Sequence, residues 1–186
     1  MDRQDFRDLT RGGQTVKTRE LTLTALLIAL TTVATLVIRI PVPATQGYIN
    51  LGDSLVYISA LLFGPVTGLL AGGIGSALAD LIGGYSQFAP YTLVIKGLEG
   101  LLVGLLAWRM IKRPTPTVGG VLAAVAAIAV GGATMVFGYF VAEAFLLKLG
   151  VAAASAEVPG NIFQVVGGLI VAIPAGLALR NLAPTR

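Results

Sequence analysis

The chain has 186 residues, 55% of them apolar and only 12% charged, where soluble domains carry roughly 25% charged residues. It contains no cysteine and no histidine, which excludes disulfides, thiolate or imidazole metal sites, cysteine nucleophiles and histidine bases. The formal net charge of +4 raises nucleic-acid binding as a class, but the placement of the basic residues argues against it.

The first twenty residues, MDRQDFRDLTRGGQTVKTRE, are polar and mix both charges. They are too charged for a cleaved signal peptide and read as a cytoplasmic tail, residues 1–20. An apolar run from Leu21 to Ile38 follows, long enough to cross a hydrocarbon core. Arg39, Pro41 and Pro43 end it, and the segment PVPATQGYINLGD reads as irregular.

The next apolar stretch, Leu51 to Gly83, is broken at Gly64-Pro65. As one helix it would be roughly 50 Å long, too much for one crossing. A further span covers Tyr91 to Trp108 and leads into the basic loop RMIKR. If residues 51–83 cross twice, that loop shares a side with the basic N-terminus, as the positive-inside rule prefers. The sequence therefore predicts a short second helix, a tight turn and a third helix. A fifth span runs from Gly119 to Leu147, and a sixth from Asn161 to Leu179 with Pro174 as a kink.

The expected fold is an all-α integral membrane protein of six transmembrane helices, residues 21–182, with both termini cytoplasmic and a short tail at 183–186. Ten of the thirteen Lys/Arg then fall on the cytoplasmic side, namely Arg3, Arg7, Arg11, Lys17, Arg19, Arg109, Lys112, Arg113, Arg180 and Arg186. The basic charge is explained by topology, and no nucleic-acid partner is expected. Small residues at spacings of three and four in GLLAGGIGSALA and GLEGLLVGLLA suit close helix packing in lipid.

Polar residues in a membrane segment are costly and informative. Asp53, Asp80, Lys96, Glu99, Glu143, Asn161 and Gln164 all fall in the outer half of this topology. Each has a plain structural alternative. Lys96 and Glu99, spaced i, i+3, can neutralise each other. Asp53 and Asn161 can cap helices, Asp80 can cap the glycine turn that follows it, and Tyr48, Tyr85, Phe88 and Tyr91 can form an interfacial belt. Taken singly these alternatives suffice. They do not explain why QGYINLGD and GGYSQFAPY put polar and aromatic groups together in two outer loops, a combination suited to a flat polar ring.

The segments YINLGDSLVYISALLFGPVTGLLAGGIGSALADLIGGY and APYTLVIKGLEGLLVGLL resemble the S components of energy-coupling factor (ECF) transporters, closest to the riboflavin, hydroxymethylpyrimidine and pyridoxine branches. The resemblance spans residues 21–182 and is strongest from Tyr48 to Leu106. It implies a prokaryotic plasma-membrane subunit that captures a vitamin from outside, near the loops after helices one, three and five. It also implies docking on a transmembrane T subunit that bears two cytoplasmic ATPases. Ala25 and Ala29 in TALLIALT match the family's AxxxA pattern facing that subunit. The chain has no GxxxxGK[ST] phosphate loop, so the energy must come from partners.

The expected ligand-binding residues are Asn50, Asp53, Tyr85, Gln87, Lys96, Glu99, Glu143, Asn161 and Gln164, with no catalytic residue, metal or cofactor. Acids, amides and one lysine, with the single tryptophan at the cytoplasmic end, favour a small hydroxylated ring such as pyridoxine or hydroxymethylpyrimidine. Riboflavin is the alternative ligand. A stand-alone carrier and an intramembrane enzyme are the alternative classes, disfavoured by a polar-poor inner half and by scattered carboxylates.

Overall fold

A computed structural model describes residues 3–111 and 117–180, with side chains from residue 18 to 109 and from 117 to 180. The C-terminal tail at 183–186 and Lys112 and Arg113 of the basic loop lie outside the described residues. Helix α1 runs unbroken from Arg3 to Val37, so the polar N-terminal stretch continues into the first apolar run as one helix. There follow strands β1 (Arg39–Val42) and β2 (Gly47–Asn50), then α2 (Gly52–Phe63), α3 (Pro65–Gly83), α4 (Ala89–Ile111), α5 (Val118–Val141) and α6 (Val151–Leu179). A π turn, Ala142–Leu146, extends α5.

Among the described residues, five helices are long and apolar enough to cross a membrane. Helix α2, at 12 residues, is about 18 Å long and shorter than the hydrocarbon core. It survives by burial. Nine of its residues are buried, and it packs against α1, α3, α4 and α6. Gly64 ends it with φ of 96°, a conformation that disfavours side-chain-bearing residues, and Pro65 opens α3 at once, where a missing N–H costs nothing.

The small-residue stripes of α3 and α4 face each other. A Cβ on Gly68 would lie 2.6 Å from the Gly100 carbonyl oxygen, and one on Gly73 would lie 2.6 Å from that of Leu93. Backbones approach this closely only without side chains between them. The Thr32 hydroxyl donates to the Gly75 carbonyl at 2.9 Å and ties α1 to α3. Beneath the polar end lies an apolar core of Val56, Tyr57, Leu61, Leu62, Val103, Ile128 and Ala172.

Two expectations need correction. The segment after α1 is an antiparallel hairpin, pairing Arg39 with Asn50 and Pro41 with Tyr48. Proline fits because a two-stranded ribbon consists only of edges, where an N–H need not be supplied. Helix α6 starts at Val151, ten residues before Asn161. Its extra turns are apolar and small apart from Glu157, and Pro159 is accommodated inside it.

Candidate ligand cavity

One end of the bundle gathers the hairpin, the α3–α4 connection and the π turn. There a cavity is lined from every side, by Thr35 of α1, Tyr48 and Asn50 of the hairpin, Ser76 and Asp80 of α3, Thr92 and Lys96 of α4, Tyr139 and Glu143 beyond it, and Glu157, Asn161 and Gln164 of α6. Its free interior is about 30 Å³, room for about two waters.

A connected polar network forms the floor. Lys96 of α4 is 2% exposed and is hydrogen-bonded to Asp53 of α2. Its ammonium also lies 3.0 Å from Glu99, one turn below. Tyr57 donates to the other Glu99 oxygen at 2.6 Å. Gln164 donates to Asp53 at 2.9 Å and accepts the Asn50 N–H at 2.7 Å. The Asn50 side chain accepts the Gly52 N–H at 2.7 Å. Lys96 thus bridges two carboxylates. Asp53 is no N-cap: Leu51 holds that position, without a side-chain cap bond, while Asp53 points into the bundle.

The hairpin closes the mouth. Tyr48 donates to Asp80 at 2.6 Å, and its ring lies 4.5 Å from that of Tyr85. The Arg39 guanidinium lies 5.8 Å and 6.0 Å from these two ring centres. Burial and the adjacent Asp80 charge hold the Tyr48 phenol well above the usual tyrosine range, so it remains a donor. On the inner side, Thr45 donates to Glu157. Tyr139 donates to Thr92 at 3.0 Å, and the Lys96 ammonium lies 5.9 Å from the Tyr139 ring centre.

Of the expected ligand residues, Asn50, Lys96, Glu143, Asn161 and Gln164 line the cavity. Asp53 and Glu99 sit beneath it as partners of Lys96. Tyr85 and Gln87 do not reach it. They line a separate groove on the outer flank of the hairpin, with Pro41, Val42, Pro43 and Gln46. Gln87 is exposed. Asp80, Tyr48 and Phe88 line the cavity although capping or an interfacial belt sufficed to explain them, and Glu157, Thr92 and Tyr139 had drawn no notice. A signal for Glu157 exists in its spacing. With Asn161, Gln164 and Gly168 it makes an i, i+4, i+7, i+11 stripe, all of it buried, the mark of one helix face.

Ala25 and Ala29 are exposed, on a face of α1 that also shows Leu26, Leu30 and Val33. The opposite face, with Leu27, Thr31 and Thr35, is buried.

Residues 15–181 match the family described as ECF-type riboflavin transporter, S component. A protein of Lactococcus lactis subsp. cremoris named thiamine precursor transporter HmpT is 30% identical over 155 residues, 83% of this chain and 83% of its own length. An uncharacterized protein of Pyrococcus woesei is 45% identical over 150 residues, 81% of this chain and 94% of its own. A solved chain described under "Structure and mechanism of the S component of a bacterial ECF transporter" superposes with a TM-score of 0.63, covering 89% of this chain and 98% of its own. At 21% identity that likeness speaks for the fold.

Proposed function

Because the chain belongs to the ECF-type riboflavin transporter S component family, we propose that it captures a small heteroaromatic vitamin or precursor, of the hydroxymethylpyrimidine or pyridoxine type, from outside a prokaryotic cell. The family is one of multi-pass membrane transport subunits, not enzymes, and ECF S components work with T and ATPase modules. In this reading six helices cross the membrane and both termini are cytoplasmic.

The observation that carries the proposal is the one-ended distribution, among the described residues, of fully buried charged and amide side chains. Asp53, Asp80, Lys96, Glu99, Glu143, Glu157, Asn161 and Gln164 are all buried and all lie toward the hairpin end. The far end holds Arg109, Arg180 and the apolar α2–α3 turn. A blind polar cavity suits capture of a ligand, and a conduit would need polar groups along its whole length. The HmpT relative supports a pyrimidine-type ligand. Riboflavin stays as a second reading, supported by the family's description.

With about 30 Å³ free, the cavity admits a ring only after its wall yields. The hairpin is the natural moving part. Gly47 borders both the cavity and the outer groove, so a single layer of backbone separates them there. The bonds from Tyr48, Asn50 and Thr45 hold that layer shut and would be exchanged for ligand contacts.

The deciding experiment is mass spectrometry of the small molecule retained by protein purified in detergent. A retained hydroxymethylpyrimidine or pyridoxine bears the proposal out. A yellow protein releasing riboflavin would replace the ligand and keep the capture role. Uptake that persists in cells without the ATPase module would overturn the ECF role.

A further inference from the structure

Two carboxyl groups in the cavity are not accounted for by the floor network. Glu143, on the π turn, is 0% exposed, and its side-chain oxygens have no partner beyond the neighbouring Glu157 carboxyl. Glu157 of α6 is 4% exposed and lies within interaction range of Glu143. It receives the Thr45 hydroxyl. Both acids line the same cavity as Lys96. Lys96 is the one cationic residue of that lining, and it is engaged by Asp53 and Glu99.

A carboxylate offers about four acceptor positions. This pair therefore presents about eight, and only the Thr45 hydroxyl and a proton shared between the two acids supply donors. Buried acceptors left unsatisfied are costly. A metal ion is a poor candidate for the missing partner, since no group of three acidic or histidine ligands exists among the described residues. A π turn widens the helix by one residue and re-aims the side chains it carries. Glu143 sits in this turn, buried and lining the cavity, at the end of an apolar helix.

Resting on the capture reading above, we propose that Glu143 and Glu157 recognise the amino-substituted edge of a nitrogen heterocycle, and so select an aminopyrimidine-type ring. An exocyclic amino group beside a ring nitrogen pairs with a carboxyl group through two parallel hydrogen bonds. The amino N–H goes to one oxygen, and one proton is shared between the ring nitrogen and the other oxygen. A pyridoxine-type ring offers hydroxyl donors one at a time. The imide edge of a flavin presents a single N–H flanked by two carbonyl oxygens, a poorer match to a pair of acids than an amino group beside a ring nitrogen.

The test is calorimetric titration of the full chain in lipid nanodiscs. The probes are hydroxymethyl-aminopyrimidine, the same ring with a carbonyl in place of the amino group, pyridoxine and riboflavin. The amino ring should bind at least about tenfold tighter than its oxo counterpart, the difference one good hydrogen bond to a charged group supports. Glu143→Leu should weaken the amino ring by roughly ten- to a hundredfold and narrow the amino-to-oxo preference, because the acceptor for the amino N–H is gone. Glu157→Leu should move the preference the same way. Equal binding of the amino and oxo rings by the unaltered protein would overturn the assignment, as would tightest binding of riboflavin or pyridoxine, and either leaves the capture role standing. An unchanged preference in a folded Glu143→Leu protein would also overturn it. If none of the four rings binds, the capture reading itself fails.

Discussion

Gln164 donates its side-chain amide to Asp53 across 2.9 Å, joining the middle of α6 to the first turn of α2. The same amide accepts the backbone N–H of Asn50 at 2.7 Å. One side chain thus couples the ion-pair floor to the hairpin above it. Gln164→Leu leaves a buried N–H and a carboxylate oxygen unpaired, at about 1–3 kcal/mol for each. The expected result is a lower melting temperature and faster hydrogen exchange over residues 47–52. Unchanged exchange there would mean that the hairpin is held by its other bonds alone.

The lysine that bridges two acids makes a graded prediction. Lys96→Met strands Asp53 and Glu99 in the interior, and breaking a buried pair costs about 3–5 kcal/mol. Adding Glu99→Met still leaves Asp53 without its cation, so little stability returns. Only the triple change that also carries Asp53→Asn should recover most of it. Thermal unfolding in detergent reads the series. Full recovery in the double variant would show that Asp53 does not depend on Lys96.

Topology is tested by cysteines introduced into this cysteine-free chain. With both termini cytoplasmic, cysteines at Thr10 and Thr115 should resist a membrane-impermeant thiol reagent in intact cells, and one at Gln87 should react. Reaction at Thr115 would mean that residues 51–83 cross the membrane once.

The exposed small-residue face of α1 is the proposed docking surface for a T subunit. Ala29→Trp should abolish co-purification with the ECF module and ATP-driven uptake, while ligand affinity of the isolated subunit stays within about twofold, a change of less than about 0.5 kcal/mol. Lost affinity with an intact complex would place Ala29 in the ligand's service instead.

Much of the architecture was legible because hydrophobic runs and breakers act locally. Gly64-Pro65 stops a helix in any context, and charge asymmetry chose two short helices over one long one. Asn50, Asp53, Lys96, Glu99 and Gln164 stood out because a charge or amide in an apolar run must find a partner. Which partner was not legible. Lys96 and Glu99 are neighbours in sequence, but the bond from Lys96 to Asp53 spans forty-three residues. The hairpin escaped notice because Pro41 and Pro43 imitate irregular chain. Glu157 escaped because it precedes Asn161, where the sixth span was expected to begin, whereas α6 starts at Val151. Gln87 looked like a pocket residue by loop membership alone, and only the fold of the hairpin decides which flank a loop residue joins.

Trp108 sits at the end of α4, its indole 3.2 Å from the position a Cβ on Gly64 would take, at the opposite pole from the cavity. The protein's sole indole is thereby insulated from contact with anything bound there. A colourless pyrimidine or pyridine should leave tryptophan emission nearly unchanged, since collisional quenching needs contact. A flavin, whose absorption overlaps indole emission, would dim it through space by energy transfer. The native fluorophore is thus a built-in discriminator between the two ligand chemistries, and ligand titrations followed by tyrosine or calorimetric signals will see binding that tryptophan does not.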